Sequence, residues 1–221
     1  MEVIAIVEGK TEQVFIESIL RPYLANKQIY ISATQVSKSG QKGGDVKFSR
    51  VKKDLAIHLK QRSDTYVTTF VDYYGIKEWP AVDTLAVNLT PVQISESVNK
   101  ATTKQVIELF AEQQAKRRFI PYIAMHEFEA LLFSDTAILA NELAINQQDI
   151  DDVLEQCGEP EAVNNSPQTA PSKRLDAWYV YNKFPKTTAG IAVAKRIGIT
   201  KMREQCPVFN AWINSLEGLL I

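Results

Sequence analysis

Three short apolar runs in this chain are each followed by acidic residues, and this pattern constrains the fold more than any other feature. The runs and the acids after them are residues 3–7 with Glu8, residues 66–71 with Asp72, and residues 119–125 with Glu127. Continuous β-branched and aromatic runs are typical of strands buried on both faces of a sheet. A carboxylate at the end of a buried strand is costly to desolvate unless a positive group meets it. The pattern therefore predicts a divalent cation at the carboxyl edge of an α/β sheet, where ligands gather.

The segments between these runs alternate with them as in an α/β fold. A further strand is predicted at 30–36, and helices are predicted after Thr11, at 46–61, at 96–116 and from 127 to 133. This alternation predicts a mainly parallel sheet flanked by helices. After Asp135 only helices are predicted, at 136–144, 147–156, 190–197 and 208–220. We expect an α/β core over 1–135 and a helical C-terminal extension over 136–221 that packs on it.

Composition and charge limit the size of the core, the kind of nucleic-acid contact and the cellular compartment that we expect. Its 221 residues are 45% hydrophobic, which is enough for one substantial core. The formal net charge of −1 means that any nucleic-acid contact must come from local basic patches. Cys157 and Cys206 form no metal-ligand spacing and fit a reducing compartment. No segment approaches the ~20 apolar residues of a membrane helix, and we expect a cytoplasmic protein without a membrane partner.

Glu8 and Glu12 belong to VEGKTE, which joins the first strand to the first helix. The segment lacks the GxxxxGK[ST] spacing of a phosphate-binding loop, so the backbone cradle of such a loop cannot form. Glu8 at the strand end and Glu12 in the first helical turn are placed to serve two cations, or one cation and a general base. The alternative for Glu12 is that its charge only complements the helix dipole.

Asp72 and the acids of HEFEALLF complete the candidate site. Asp72 is expected at the same sheet edge as Glu8, although a strand-end aspartate can also simply open a turn. Glu127 and Glu129 converge only if the chain is extended at Glu127 and helical near Glu129, because positions two apart diverge on a helix. His126 is expected to hydrogen-bond behind the ligands, since oxygen suits a hard cation better than imidazole does.

The acids also indicate a reaction class. Carboxylate oxygens select Mg²⁺, Mn²⁺ or Ca²⁺ over zinc. Two such ions about 4 Å apart activate a water and stabilise a leaving oxygen at phosphorus. The chain contains no GxSxG segment and no plausible pair of cysteine and histidine. Phosphodiester cleavage with Mg²⁺ or Mn²⁺ is the reaction that uses these carboxylates best.

Basic residues near the predicted site favour a phosphate-containing substrate. Between residues 37 and 53 they stand against a single acid, Asp45, and are Lys38, Lys42, Lys47, Arg50, Lys52 and Lys53. Gly43 and Gly44 would let backbone amides approach a phosphate. Lys42, Lys47 and Arg50, together with Lys10, are the candidate nucleic-acid contacts of this part of the chain. The alternative is a solvated basic face.

A second basic segment, APSKRL, lies in the C-terminal part. Lys173 or Arg174 could neutralise charge that develops on a phosphate in the transition state. The alternative is a helix N-terminus that Ser172 caps.

Together, the segments VEGKTE, VDYYG and HEFEALLF resemble TOPRIM domains, the metal-binding α/β module of topoisomerases, bacterial primases and overcoming-lysogenization-defect nucleases. Over nearly its whole length the chain is similar to a bacterial TOPRIM-like family of unknown function. That similarity includes the GG loop, the PY…HEFEALLF block, the APSKR loop and the closing CPxFxxW at 206–212. It implies a TOPRIM-like, mainly parallel sheet flanked by helices.

The resemblance implies a metal-binding role for each of the five acids. Glu8 matches the glutamate after the first TOPRIM strand, and Glu12 matches the second acid of the nuclease-type ExxxE. Asp72 matches the first acid of the DxD pair. Glu127 and Glu129 match the later acidic pair of the nuclease branch.

Two other positions follow from the same resemblance. Lys173 resembles the active-site lysine of the nuclease branch. Tyr74 stands where the second DxD acid is usual, and we expect it, like His126, to support the ligands rather than bind the metal. Either Glu127 and Glu129 supply the missing charge, or one metal site is weak.

The first functional hypothesis is a metal-dependent nuclease that cuts DNA or RNA. The resemblance suggests an AAA or SMC-like ATPase as its partner and a role as the effector of an anti-phage defence system. The second hypothesis is a non-catalytic subunit that binds an ATPase or nucleic acid through a degenerate metal site. Primase-like or topoisomerase-like chemistry has less support, because no domain for template handling is recognisable.

Overall fold

The computed structural model describes residues 1–37, 46–74, 76, 78–163 and 168–220, which form a parallel sheet with helices around it. The strands are β1 (Glu2–Val7), β2 (Tyr30–Gln35), β3 (Thr65–Asp72), β4 (Phe119–Ile120) and β5 (Ile123–Ala124). They pair in parallel in the order β2-β1-β3-β4, and β5 also pairs with β3. The predicted α/β class is confirmed.

The strand order creates a switch point between β1 and β3. The chain passes from β1 outward to β2, and then returns past β1 to form β3 on its other side. Crossovers that diverge in this way leave a crevice at the carboxyl ends of the two central strands. Val7 pairs with Phe70, so the residues that follow β1 and those that end β3 meet at that crevice.

The helices cover the sheet and fill most of the C-terminal part. They are α1 (Lys10–Phe15), α2 (Arg21–Ala25), α3 (Phe48–Gln61), α4 (Pro91–Leu109), α5 (Ala115–Arg118), α6 (Thr136–Leu143), α7 (Gln147–Cys157), α8 (Pro171–Trp178), α9 (Ile191–Gln205) and α10 (Pro207–Glu217). The π-helical segments are Ile16–Leu20 and Lys186–Gly190, and the 3-10 segments are Val82–Thr84, Ala111–Gln113, Phe128–Ser134, Pro160–Ala162 and Gly218–Leu220. None of the helices in the described part of the chain is both long and apolar enough to cross a membrane.

Two predicted segments differ from the observed ones for local reasons. The helix predicted at 96–116 starts earlier, because Pro91 occupies its first turn and the Thr90 side chain caps it. The strand predicted at 119–125 is interrupted between β4 and β5. There the hydroxyl of Thr69 accepts the backbone N–H of Tyr122 at 3.0 Å and donates to its carbonyl oxygen at 3.1 Å. Thr69 thus bonds both backbone groups of Tyr122 between the two paired stretches.

The C-terminal helices bury apolar side chains against the sheet. Trp212 of α10 stacks on Tyr122 with ring centroids 4.3 Å apart. Its Nε1–H donates to the hydroxyl of Thr68 in β3 at 2.8 Å. One hydrophobic core therefore includes residues before and after Asp135, and the proposed division at that residue stays a prediction.

Candidate functional site

Glu8 and Asp72 lie next to each other at the switch point. The backbone N–H of Glu8 donates to the carbonyl of Phe70 at 3.2 Å, which continues the pairing of β1 with β3. The backbone N–H of Asp72 donates to Oε2 of Glu8 at 3.3 Å. The prediction that these two acids share a sheet edge is confirmed.

Glu12 reaches the same place from the first turn of α1. Its Oε2 accepts the backbone N–H of Gly9 at 2.8 Å, and the residue is buried. A Cβ on Gly9 would lie 3.3 Å from this oxygen, so glycine gives the carboxylate room. Glu12 therefore accepts a hydrogen bond from a backbone N–H at the start of α1. This contact agrees with the alternative role, in which the charge of Glu12 complements the helix dipole. It also faces Glu8, whose charge contributes to raising the pKa of Glu12 after the larger effect of burial.

The segment after β5 changes direction at His126. This residue has a positive φ of 62°, and the backbone N–H of Glu127 donates to the carbonyl of Met125 at 2.9 Å. The two features define a γ-turn, which is rare and strained for a residue other than glycine. Glu127 is extended, with φ −148° and ψ 158°, and the 3-10 segment starts at Phe128. The predicted change from extended to helical backbone is confirmed.

Glu127 is held by the N-terminus of α8. Its Oε2 accepts the backbone N–H of Ser172 at 2.8 Å, and its Oε1 accepts the hydroxyl of the same residue at 2.9 Å. The positive end of a helix stabilises a carboxylate in this position. Ser172 therefore binds a glutamate that is distant in sequence, whereas the sequence alternative made it a cap of its own helix.

Glu129 is paired with a lysine that the sequence analysis missed. Its Oε2 lies 3.0 Å from Nζ of Lys186, and its side chain is 2% exposed. Lys186 starts the π-helical segment that precedes α9, and its own side chain is 38% exposed. The sequence holds no signal for this pairing, because the two residues are 57 positions apart and no motif includes Lys186.

The charges of these groups act on one another. Burial, followed by the charges of Glu12 and Glu8, raises the pKa of Asp72 well above its ordinary value. Burial raises the pKa of Glu129 to about 7, although Lys186 opposes this effect. Burial disfavours the charge of Lys186, but Glu129 and Glu127 outweigh it and raise the pKa of the amine. Burial and neighbouring negative charge therefore oppose ionisation of Asp72 and Glu129, and at Glu129 the charge of Lys186 offsets this effect only in part.

A hard cation would favour the ionised carboxylates, although the site is not arranged as a finished metal centre. Within the described residues, no three His, Cys, Asp or Glu side chains are grouped so that they could hold a metal ion as they stand. Oε2 of Glu129 is buried and makes no hydrogen bond of good geometry in that part of the chain. The donors are all carboxylate oxygens, as Mg²⁺ and Mn²⁺ prefer. Binding would require these side chains to turn away from their present partners.

The predicted basic residues lie in different surroundings. Lys173 is exposed on α8, and Nε of Arg174 donates to the carbonyl of Thr169 at 3.1 Å. Nζ of Lys10 donates to Oε1 of Gln13 at 3.2 Å on the exposed face of α1.

The first basic segment is described only in part. Nζ of Lys47 lies 3.6 Å from Glu78, and Arg50 is half-buried in α3. Lys42, Gly43 and Gly44 lie outside the described residues.

Tyr74 and His126 are linked through their backbones. The N–H of Tyr74 donates to the carbonyl oxygen of His126 at 2.7 Å, and the N–H of Tyr73 donates to that of Ala124 at 2.9 Å. The position where a second DxD acid is usual therefore ties the end of β3 to the γ-turn. This contact agrees with the expectation that Tyr74 supports the ligands. If the resemblance to TOPRIM domains holds, Glu129 would supply the charge of the second DxD acid.

We predict that Glu129 makes stability depend on pH. The pKa of Glu129 is about 7 in the folded chain, above the ordinary value of 4.5. Between these two pH values the folded chain therefore binds more protons than the unfolded chain does. The free energy of unfolding consequently falls as pH rises through this window. The cost of ionising Glu129 in the folded state is roughly 3 kcal/mol above pH 7. Glutamine cannot ionise, so the free energy of unfolding of Glu129→Gln should rise relative to that of the wild type by up to this amount between pH 5 and pH 8. Denaturant unfolding in EDTA measures the difference.

Glu155→Gln on the exposed face of α7 is the matched control. Its difference from the wild type should stay within about 0.5 kcal/mol at both pH values. A Glu129→Gln difference that is equally independent of pH would contradict the assignment.

Comparison with known proteins gives one match. The model of a domain of unknown function, DUF4276, matches residues 7–217. No curated protein and no solved structure matches the chain significantly. The matched span includes all five acids and Lys186, and the chain therefore belongs to the DUF4276 family.

Proposed function

We propose that this chain is a TOPRIM-type nuclease that cleaves phosphodiester bonds in DNA or RNA with Mg²⁺ or Mn²⁺. The observation that carries the proposal is the convergence of Glu8, Glu12, Asp72 and Glu129 at the switch point of the sheet, where burial and the neighbouring acids raise the pKa values of Glu12, Asp72 and Glu129. Burying like charges costs folding free energy unless a cation offsets it. A chain keeps such an arrangement when a bound cation provides that compensation.

The proposed roles follow from the contacts. Glu8 and Asp72 are the principal oxygen ligands, because they share the crevice and hydrogen-bond to each other. A bound cation would supply Lewis acidity and a more acidic water next to phosphorus. Glu129, with a pKa of about 7, is suited to accept a proton near neutral pH. Glu127, whose two oxygens already accept hydrogen bonds from Ser172, orients the segment that carries Glu129.

Lys186 is the lysine that we place in the reaction. It contacts Glu129, and Asp72 also contributes to raising its pKa. When Glu129 turns away from Lys186 to accept a proton, the ammonium group becomes available to a phosphate oxygen, where it stabilises developing negative charge. Lys173, which the sequence resemblance favours, is exposed on α8 and is better suited to contact the nucleic-acid backbone.

The wider role is part of the proposal. Similarity to TOPRIM-like sequences supports an AAA or SMC-like ATPase partner and an effector role in anti-phage defence. Lys10, Lys47, Arg50 and Arg174 supply positive charge for a nucleic acid around the acids.

A second candidate function is a non-catalytic subunit that binds an ATPase or nucleic acid. It is favoured by the observation that no described group of acids is already arranged to hold a metal. The presence of Tyr74 in place of an acid agrees with it. In this case Lys186 would act as a permanent substitute for the metal.

Removing the two principal ligands should abolish cleavage. Asp72→Asn and Glu8→Gln keep the shape and an acceptor oxygen for the hydrogen bonds of each side chain, so both variants should fold. We expect nuclease activity with Mn²⁺, in the presence of the partner ATPase, to fall more than about 100-fold. Gel assays on labelled DNA and tRNA, with EDTA as the blank, measure this. Glu155→Gln should retain wild-type activity, and wild-type cleavage no faster than that of Asp72→Asn would refute the nuclease proposal.

The two lysines give a direct comparison. Lys186→Met should lower the cleavage rate by about 100-fold or more, since one charged donor to a transition state contributes that much. Lys173→Met should weaken binding and leave the rate at saturating substrate within about threefold, as expected for a backbone contact. Lys186→Arg should recover part of the loss. Single-turnover kinetics with thermal unfolding as a folding check make the measurement, and the reverse ranking of the lysines would restore Lys173 as the reactive one.

Calorimetric titration with Mn²⁺ separates the two candidate functions. Because Glu129, with a pKa of about 7, is partly protonated in this range, binding should release protons and tighten as pH rises from 6 to 8. Repeating the titration in buffers of different ionisation enthalpy counts those protons. Absence of Mn²⁺ binding by the wild type at pH 8 would favour the non-catalytic subunit, whereas binding that Asp72→Asn loses would exclude a dead site.

A further inference from the structure

A pocket of about 670 Å³ opens beside the acids. Its walls come from the two segments that flank the site, since Tyr73 follows Asp72 and His126 precedes Glu127. The segment 85–89, Ile94 and Ala162 complete the described lining. The volume lies within the range of about 300–1,000 Å³ that is usual for small-molecule pockets. The pocket is therefore large enough for one ring system and lies next to the proposed reaction centre.

The chemistry of the lining excludes a charged ligand. None of the described residues around the pocket is acidic, and none is a lysine or an arginine. Most are apolar, and the polar groups are those of Tyr73, Asn88 and His126. A phosphate or a metal ion would find no opposite charge there. A neutral, flat group with apolar faces and a polar edge fits the lining better.

His126 is the unusual member of this set. The residue is 8% exposed, and its Nδ1 has no hydrogen-bond partner within the described part of the chain. Its backbone holds the strained positive φ of the γ-turn. An unpaired buried nitrogen and a strained backbone both cost folding free energy, so their coincidence at a pocket points to a ligand that uses the nitrogen.

We propose that this pocket receives an unpaired nucleobase of the strand whose phosphate lies over the acids. The ring of Tyr73, whose centroid is 6.3 Å from that of His126, packs against the base. Asn88 and the imidazole of His126 hydrogen-bond to its edge, as side chains do with unstacked bases. A half-turn of the imidazole about Cβ–Cγ exchanges Nδ1 with Cδ2, so a ring nitrogen can face the ligand. The inference rests on the proposed nuclease function, because the base is positioned only if the phosphate next to it in the strand lies over the acids.

Binding in EDTA tests this without requiring cleavage. The probes are a fluorescein-labelled single-stranded oligonucleotide and a deoxyribose-phosphate strand of the same length that carries no bases. Fluorescence anisotropy should show about tenfold tighter binding of the strand with bases, the size expected for one well-stacked base. Asn88→Gly and His126→Asn should reduce this preference to less than about threefold. Glycine is chosen at position 88 because that residue has a positive φ of 63°. Asparagine is chosen at position 126 because it tolerates a positive φ.

Asn141→Ala, on the exposed face of α6, is the matched control and should keep the full preference. Equal affinity for the two strands, or a preference that both pocket variants keep, would overturn the inference. The nuclease proposal fails separately. If the chain prefers bases through Asn88 and His126 but does not cut with Mn²⁺, the pocket inference stands and the nuclease proposal fails. If the chain cuts but shows no preference for the strand with bases, the nuclease proposal stands and the pocket inference fails.

Discussion

The burial of several carboxylates around one ammonium group governs the candidate site. The strand order brings Glu8 and Asp72 to one crevice, and α1 and the segment after β5 add Glu12 and Glu129. Like charges at this range oppose ionisation, so the groups share their charge with protons and with Lys186. A site in this condition responds to any added cation. Protons and the ammonium group compete for these oxygens, and the proposed divalent ion would compete with both.

Remote carboxylates also attach the C-terminal helices to the core. Neither α8 nor α10 has a side-chain cap at its own N-terminal residue. In α8 the N–H of Ser172 donates to Glu127, and in α10 the N–H groups of Val208 and Phe209 donate to the two oxygens of the buried Glu161. A helix whose first N–H groups depend on a distant carboxylate is satisfied only when the tertiary fold is complete. The position of Glu127, and through it the segment that carries Glu129, is therefore coupled to the docking of α8.

Sequence reasoning located the parts of the site that depend on local pattern. Buried strands have a recognisable composition, so the strand-end positions of Glu8 and Asp72 and their shared edge could be predicted. The backbone change at Glu127 followed from the geometry that two acids two residues apart require. Lys186 could not be found in this way, because its role comes from the path of the chain after α8, which no local pattern encodes.

The partners of Glu127 and the strain at His126 were inaccessible for a related reason. Ser172 was assigned to its own helix, since capping statistics consider only neighbours in sequence. A positive φ at a histidine has no compositional signal, because the surrounding pairing of Tyr73 and Tyr74 with the β5 segment imposes it. Both features arise when separate segments meet, and only the assembled fold contains that information.

Tyr74 links two segments of the candidate site. Its backbone N–H donates to the carbonyl of His126, so this position ties β3 to the turn that leads to Glu129. In the proposed nuclease, Glu129, with a pKa of about 7, would supply the negative charge that an acid at position 74 would bring. One strained residue, His126, lies in the chain next to Glu127 and also lines the pocket. A ligand that engages His126 would therefore act on the same backbone turn that positions Glu127 and Glu129, and this would couple the proposed base recognition to the acids.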